Sequence, residues 1–475
     1  MTNGSKFSRR WFIGGAVSFG ALAGCRLIDG GAFASSGKPA LRLGVVSDIH
    51  FSVDEGLVYY PDHGEETLVK ALTFFRERNV DGVVICGDLA DRSLGEELMG
   101  VGRAWERVFP NDRAPDGHHV EKLFVTGNHD WEGFTYGFNS RRVFPDAAER
   151  ARHIIRNDLK GWWDRAFHEE YQPIWMKQVN GYSFVGAGWL LDRGTKGDFN
   201  PGLEDFYAAH GKEIDPKLPF FHLQHPPLRN TCFAPWGGAS DAGVSTRILS
   251  NHPNAIAFSG HTHYTLTDPR CIWQGAFTSI GCSSLRGAGV APDELSYRNR
   301  LVCSEGMPSV RQGLQVDVYS DHVDFDLRDF RSGLPLGRTL TMPLPAAESK
   351  PFAYAEHAKR LTAPEFLDNY ALVIEPDGPE KMKLLIPAVK PDSSARCSYY
   401  EAVCTSGEKS VRKRIRPLNW AMSTKDALYD APTVVSVPLT DLPPEPIAVT
   451  VTPVGYFGKR GKPLAATFSQ AKWRA

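Results

Sequence analysis

Residues 41–51 read "LRLGVVSDIHF". Leu41, Leu43, Val45 and Val46 have the apolar content of a buried strand, and Asp48 and His50 sit where that strand ends. A carboxylate and an imidazole placed there must be neutralised by a partner, because an unpaired buried charge is too costly to keep. The same punctuation recurs along the chain. "DGVVICGDLADR" ends in Gly87–Asp88, and "KLFVTGNHD" ends in Asn128, His129 and Asp130. "LPFFHLQHPPL" ends in Gln224 and His225, and "NAIAFSGHTHY" ends in His261 and His263. Each is an apolar run followed by groups able to bind a metal. In open α/β sheets ligands bind beyond the carboxyl ends of strands, so the five ends are expected to converge. The glycine before the acid Asp88 and the amide Asn128 is expected to let the backbone turn off the strand.

Between these runs lie helical patterns. "EETLVKALTFFRERN" spaces Leu68, Leu72 and Phe75 on one face, and "GEELMGVGRAWERVF" is similar. The strand–helix alternation predicts an α/β (α+β) layered fold. "VNGYSFVGAGWLL" carries an Asn-Gly turn and "LQVDVYSDHVDFDLRDF" alternates about a turn, so both are expected hairpins. Residues 131–180 interrupt the rhythm with a Trp- and Arg-rich helical stretch, read as a packed helix pair, a wall over the site, or both. "TMPLPAAESKP" marks a linker over 336–350. Beyond it, residues 351–475 show short strands and no convincing helix, which predicts an all-β sandwich. Its "VTVTPVGYFGKRGKP" is similar to the late strand and turn of a fibronectin type III domain.

The four strand-end motifs DxH, GDxxD, GNHD and GHxH, in this order, resemble the calcineurin-like metallophosphoesterase family over 38–335. That resemblance implies a four-layer β-sandwich flanked by helices and two divalent ions, of the Mn, Fe or Zn kind. It implies that Asp48, His50 and His263 hold one ion, that Asn128, His261 and His225 hold the other, and that Asp88 bridges both. His129 is expected to meet the phosphate and protonate the leaving oxygen, with Asp130 orienting it; Asp130 alone reads equally well as a helix cap. The reaction implied is hydrolysis of a phosphate mono- or diester by a hydroxide bridging the two ions. The fourth strand leaves two registers open: His225 as ligand, or Gln224 through its carbonyl oxygen if a double-histidine form is the template. Arg92 resembles the phosphate-contacting arginine of the protein-phosphatase branch and reads equally as a salt-bridge residue. Arg286, Arg229, Arg141 and Arg142 are further candidates for a substrate anion, and spacing does not choose among them.

Composition bounds the rest. The chain has 475 residues and a formal net charge of −1, enough length for two domains and too little positive charge for a dedicated nucleic-acid surface. No apolar run is long enough to span a membrane. "FSRRWFIGGAVSFGALAGC", residues 7–25, resembles a twin-arginine export signal, with Arg9 and Arg10 as the address. Residues 1–34 are therefore a targeting segment. "LAGC" resembles a lipoprotein box with a lipid anchor at Cys25, and "AFAS" fits ordinary cleavage. The mature protein is expected to be periplasmic or lipid-anchored. The eight cysteines are scattered without CxxC pairs, which excludes a zinc ribbon; Cys397 and Cys404 are close enough in sequence to pair. The expected partner is a small phosphoester, and the C-terminal domain is a candidate for glycan or protein binding. Competing readings are a non-catalytic exported binding protein on the same scaffold and a nucleotidase-type phosphatase.

In purple acid phosphatases a tyrosine stands three residues after the bridging aspartate; here that residue is Asp91. An iron-loaded sample is expected to lack a tyrosinate charge-transfer band in its visible spectrum. A violet sample would mean that a tyrosinate reaches the metal from elsewhere in the chain.

Overall fold

The computed structural model describes residues 37–53, 64–135, 144–190, 198–234, 241–288, 301–441 and 446–469. The expected targeting segment with Cys25, and Arg141 and Arg142, lie outside the described residues. The first strands and helices alternate: β1 (Leu41–Val46), α1 (Glu65–Arg76), β2 (Gly82–Cys86), α2 (Gly95–Val108) and β3 (Glu121–Val125). Then come the short α3 (Asn128–Glu132), α4 (Ala147–His153) and α5 (Leu159–Phe167). A hairpin of β4 (Ile174–Val179) and β5 (Tyr182–Ala187) turns at Asn180–Gly181, both with positive φ. Next follow α6 (Leu203–His210), β6 (Phe220–Gln224), α7 (Val244–Leu249), β7 (Ala255–Ser259), β8 (Ile272–Gln274) and β9 (Thr278–Gly281). The stretch closes with β10 (Leu301–Cys303), β11 (Gln312–Val318), β12 (His322–Asp329), β13 (Leu334–Pro335) and β14 (Leu340–Pro343).

Two sheets result. One runs β13-β12-β11-β1-β2-β3, with β14 also on β12; the other runs β4-β5-β6-β7-β9-β8. Strand alternation decides how they stack. Leu41, Leu43 and Val45 face Phe221, Leu223, Ile256 and Phe258 of the second sheet. Val46, Val83 and Ile85 face the other way, onto Leu68, Leu72 and Phe75 of α1. The outer face of the second sheet, including Val185, Ala255 and Ala257, packs on Leu203 and Tyr207 of α6 and Val244 and Leu249 of α7. The layers are helix, sheet, sheet, helix. Central strands buried on both faces need continuous apolar sequence, and all five residues of GVVIC in β2 are buried. β1, β2 and β3 run parallel, as do β5, β6, β7 and β9. Their carboxyl ends therefore gather at one edge of each sheet.

The C-terminal part comprises α8 (Tyr354–Arg360), β15 (Val373–Pro376), β16 (Lys381–Ile386), β17 (Cys397–Ser406), β18 (Lys409–Arg416), β19 (Thr433–Pro438), β20 (Ile447–Gly455) and β21 (Leu464–Phe468). Sheets β15-β16-β19 and β10-β18-β17-β20-β21 enclose Met382, Leu384, Val435, Tyr400, Ala402 and Val449. Three details depart from the sequence reading. The α8 turn is helical. β14 lies inside the expected linker, pairs with β12, and buries Met342; Pro and Ser content masked that alternation. Cys397 and Cys404 are both free and stand seven residues apart on the one strand β17, roughly 23 Å at strand rise, far beyond disulfide reach.

The Trp-rich insertion packs α5 on α2. The contact is backbone-close: a Cβ at Gly102 would lie 2.1 Å from the Ala166 carbonyl oxygen. Backbone cannot yield as a side-chain tip can. Gly102→Ala is expected to cost about 1–3 kcal/mol of stability, read as a lower urea midpoint at unchanged slope. An unchanged midpoint would show that the two helices separate freely.

Candidate metal centre

Each of the five strand ends delivers its polar side chains to one place. β1 leads to Asp48 and His50, β2 to Asp88 and β3 to Asn128 and His129, all from the first sheet. β6 leads to His225 and β7 to His261 and His263, from the second. The chain is forced to turn hard there. Asp48, His50, Asp88, His261 and His263 all have positive φ, between 48° and 70°. Non-glycine residues in that region cost about 1–3 kcal/mol each and persist where the surroundings over-determine them. Backbone hydrogen bonds supply part of that restraint: Asp48 N–H donates to Gly87 O (3.0 Å), His50 N–H to Asp88 O (2.9 Å) and Gly260 N–H to His225 O (2.9 Å).

The side chains form two overlapping groups. In the first, Asp48 Oδ1 lies 3.0 Å from His263 Nε2, which lies 3.1 Å from His50 Nε2. In the second, His225 Nε2 lies 3.0 Å from Asn128 Oδ1 and 3.1 Å from His261 Nδ1. Asp88 joins them: its Oδ2 is 3.5 Å from His50 Nε2 and 3.2 Å from His225 Nε2. Asp48, Asp88 and His225 are almost wholly buried.

The donor chemistry fits divalent cations. His50 Nδ1–H donates to Asp91 Oδ1 (3.0 Å), and His225 Nδ1–H donates to the Cys86 carbonyl (2.7 Å). A carboxylate or carbonyl acceptor fixes the proton on Nδ1 and leaves the Nε2 lone pair facing the cluster, the arrangement of a metal-binding histidine. Carboxylate, imidazole and amide donors suit borderline divalent ions. Charge points the same way. Burial opposes ionisation of Asp88, but the imidazoles of His225, His129 and His50 outweigh it and hold its pKa below the usual range. Burial would depress His225; Asp88 and Asp48 instead hold it at about 9. A bound cation would supply positive charge to the same carboxylates.

Three surrounding residues take roles that the sequence left open or assigned differently. The Asp130 carboxylate is engaged by backbone. Its Oδ1 accepts from Ala90 N–H and its Oδ2 from Gly127 N–H, both at 2.7 Å, so it is a capping residue of α3. His129 is held instead by the Asp91 carbonyl, to which its Nδ1–H donates at 2.8 Å. Gln224 points away from the cluster, accepting from Ser245 Oγ (2.6 Å) and His222 Nε2 (2.9 Å) and donating to Pro226 O (2.7 Å). Among the arginines, Arg92 is buried with its Nε 3.1 Å from Asp91 Oδ2. Arg286 brings Nη1 to 2.9 Å from Asp91 Oδ1 and 3.1 Å from His50 Nδ1. Arg229 is exposed, with its backbone N–H on Asp241. Sequence reasoning missed Asp91 as the hub of His50, His129, Arg92 and Arg286. It also missed Trp189, whose ring lies 5.8 Å from that of His261; its place just after β5 was the available signal.

The glycines serve closeness more than turning. Gly87 has φ +87°, but Gly127 is extended at −111°. A Cβ on Gly127 would lie 2.2 Å from Asp88 Oδ1, and one on Gly260 would lie 1.8 Å from Ser47 Oγ.

His225→Ala is expected to bind one Mn²⁺ per chain where the unaltered protein binds two, by metal analysis after dialysis. Gln224→Ala is expected to keep both ions and to lose about 1–3 kcal/mol of stability, since His222 and Ser245 lose a buried partner. The reverse pattern would move the ligand to Gln224.

Residues 41–265 match the model of the family described as Calcineurin-like phosphoesterase. No curated protein matches the sequence. Among solved structures the chain is similar to a dimetal phosphatase from Danio rerio, with 14% identity, TM-score 0.39, and coverage of 64% of this chain and 99% of that one. It is similar to a purple acid phosphatase from yellow lupin (Lupinus luteus) seeds, with 12% identity, TM-score 0.41, and coverage of 66% and 57%. It is also similar to a Zn²⁺-complexed Vps29 from Entamoeba histolytica, with 10% identity, TM-score 0.27, and coverage of 64% and 99%. The matched residues run from β1 to the loop that carries His261 and His263.

Proposed function

We propose that the protein is an exported phosphoesterase that uses two divalent cations to hydrolyse phosphate mono- or diesters. The observation that carries this is the position of Asp88 Oδ2, within 3.5 Å of one imidazole from each donor group. Asp48, His50 and His263 would hold one cation, Asn128, His225 and His261 the other, and Asp88 both. When bound, such a pair supplies Lewis acidity that ionises water at neutral pH and offsets the charge of the phosphate oxygens.

The chain's own residues would do the remaining work. Asp91 fixes the His50 ring through Nδ1 and, with its backbone carbonyl, fixes His129. Because His129 Nδ1–H donates to that carbonyl, Nε2 would be the atom that meets a substrate oxygen. Burial, reinforced by the His50 ring, pushes His129 down to about 4. A phosphate anion beside it acts in the opposite sense, favouring the imidazolium that can pass a proton to the leaving oxygen. Arg286 and Arg92 keep positive charge at the Asp91 edge. Export by the twin-arginine route, with or without lipid on Cys25, is proposed from Arg9, Arg10 and the apolar stretch after them. The C-terminal sandwich, with its fibronectin type III-like late strand, is proposed as a non-catalytic module.

A panel of chromogenic phosphate mono- and diesters tests the reading. Turnover is expected with added Mn²⁺, to be lost with chelator, and to be lost in Asp88→Asn. His129→Ala is expected to lower kcat by roughly 10²–10⁴-fold, and less for an activated leaving group that needs no proton. If the unaltered protein binds two Mn²⁺ and turns over no ester, a metal-dependent binding protein replaces this reading.

A further inference from the structure

We infer that the C-terminal β-domain is a working part of the metal centre: its loop at 417–423 positions the 260–268 loop that presents His263. This rests on the metal-centre reading above, and on a continuous run of contacts outside the ligand set.

His261 and His263 are held at φ 70° and 51°, so their loop needs restraint on both sides. Upstream, it is tied to the fourth-strand turn through Gly260 N–H and His225 O. Downstream, its anchors lie on Gln312 and on the C-terminal domain. Gln312 of β11 is fully buried. Its Oε1 accepts from Leu266 N–H (2.8 Å), Thr265 Oγ1 (3.1 Å) and Ser283 Oγ (3.1 Å). Its Nε2 donates to the Ala421 carbonyl at 2.8 Å. Thr267 Oγ1 donates to the Trp420 carbonyl at 2.9 Å. Tyr264, the residue after His263, is buried edge-to-face on the Trp420 ring at 5.6 Å and on Phe233 at 5.0 Å.

The 417–423 loop is in turn rigidly held by the sandwich. Arg416, at the end of β18, lies over the Trp420 ring with Cζ 4.3 Å from its centroid. Trp420 Nε1–H donates to Tyr456 Oη (3.0 Å), and Arg396 donates to the carbonyls of Met422 (2.8 Å) and Leu336. These are buried, directional contacts, and truncating them moves the loop rather than a surface. Trp420, Gln312 and Thr267 are therefore positioning residues for His263.

Mn²⁺ binding to the metal-stripped full-length protein, followed by titration calorimetry, reads this directly and without substrate. Trp420→Ala is expected to weaken the ion held with His263 by about 10–100-fold. Trp420→Phe keeps a ring against Tyr264 and Arg416 and is expected to recover most of the affinity. Thr267→Val removes one hydrogen bond and is expected to weaken the same ion by about 2–10-fold; it serves as the test if Trp420→Ala does not fold. In a His263→Ala background, Trp420→Ala or Thr267→Val should produce no further loss of Mn²⁺ affinity. Unchanged Mn²⁺ affinity in folded Trp420→Ala and Thr267→Val, or an equal additional loss in the His263→Ala background, overturns the inference. Absence of ester turnover in the unaltered protein would leave this result intact while ending the phosphoesterase reading.

Discussion

Buried carboxylate charge governs this molecule. Asp48 and Asp88 are removed from water at the edge of two sheets, and an isolated carboxylate there would cost far more than a domain's net stability of about 5–15 kcal/mol. The neighbouring imidazoles make the arrangement tolerable, and those same carboxylates raise the pKa of His225. Five residues of the cluster also accept left-handed backbone geometry. Neither feature is favourable by itself. A cation bound to the folded state alone would offset both, because its binding free energy would add to stability.

The layered architecture follows from the same requirement. The candidate ligands come from the first sheet through Asp48, His50, Asp88 and Asn128, and from the second through His225, His261 and His263. The two sheets are separate hydrogen-bonded units joined by a dry apolar interface. That interface is non-directional and would tolerate small shifts of one sheet on the other. The polar contacts at the strand ends do not: His261 N–H donates to Asp48 Oδ2 at 2.9 Å and His225 Nδ1–H to Cys86 O at 2.7 Å. Directional bonds across the sandwich fix the relative setting that the apolar core leaves loose.

Much of this was legible in the chain. Apolar runs ending in DxH, GD, GNH and GHxH disclosed the layered fold and Asp48, His50, Asp88, Asn128, His261 and His263 as side chains that meet. What stayed hidden depends on contacts between distant residues. His225 and Gln224 are adjacent, and only the hydrogen bonds from Ser245 and His222 show that Gln224 is satisfied elsewhere. Asp130 next to His129 suggested a partner in sequence, yet the ring is held by a backbone carbonyl thirty-eight residues away. Arg286 was one of four equivalent arginines until its guanidinium was seen on Asp91. The linker composition at 336–350 hid β14, because proline and serine flank an alternation too short to stand out.

The composition break near residue 345 suggests an autonomous second domain, but the contacts argue against autonomy. A freely appended module would present a polar, hydrated face to its neighbour. Here Arg396 buries its guanidinium to bind the carbonyl of Leu336, and the carbonyls of Trp420 and Ala421 accept from Thr267 and Gln312. β10 even leaves the first part of the chain to pair in parallel with β18. Burying a guanidinium carries a desolvation penalty that only well-directed acceptors offset. Those acceptors belong to backbone that must itself be in place. Separation of the two parts would take the Leu336 carbonyl from Arg396 and the Gln312 and Thr267 donors from the 417–423 loop, so that loop and the His263 loop it touches are expected to order together.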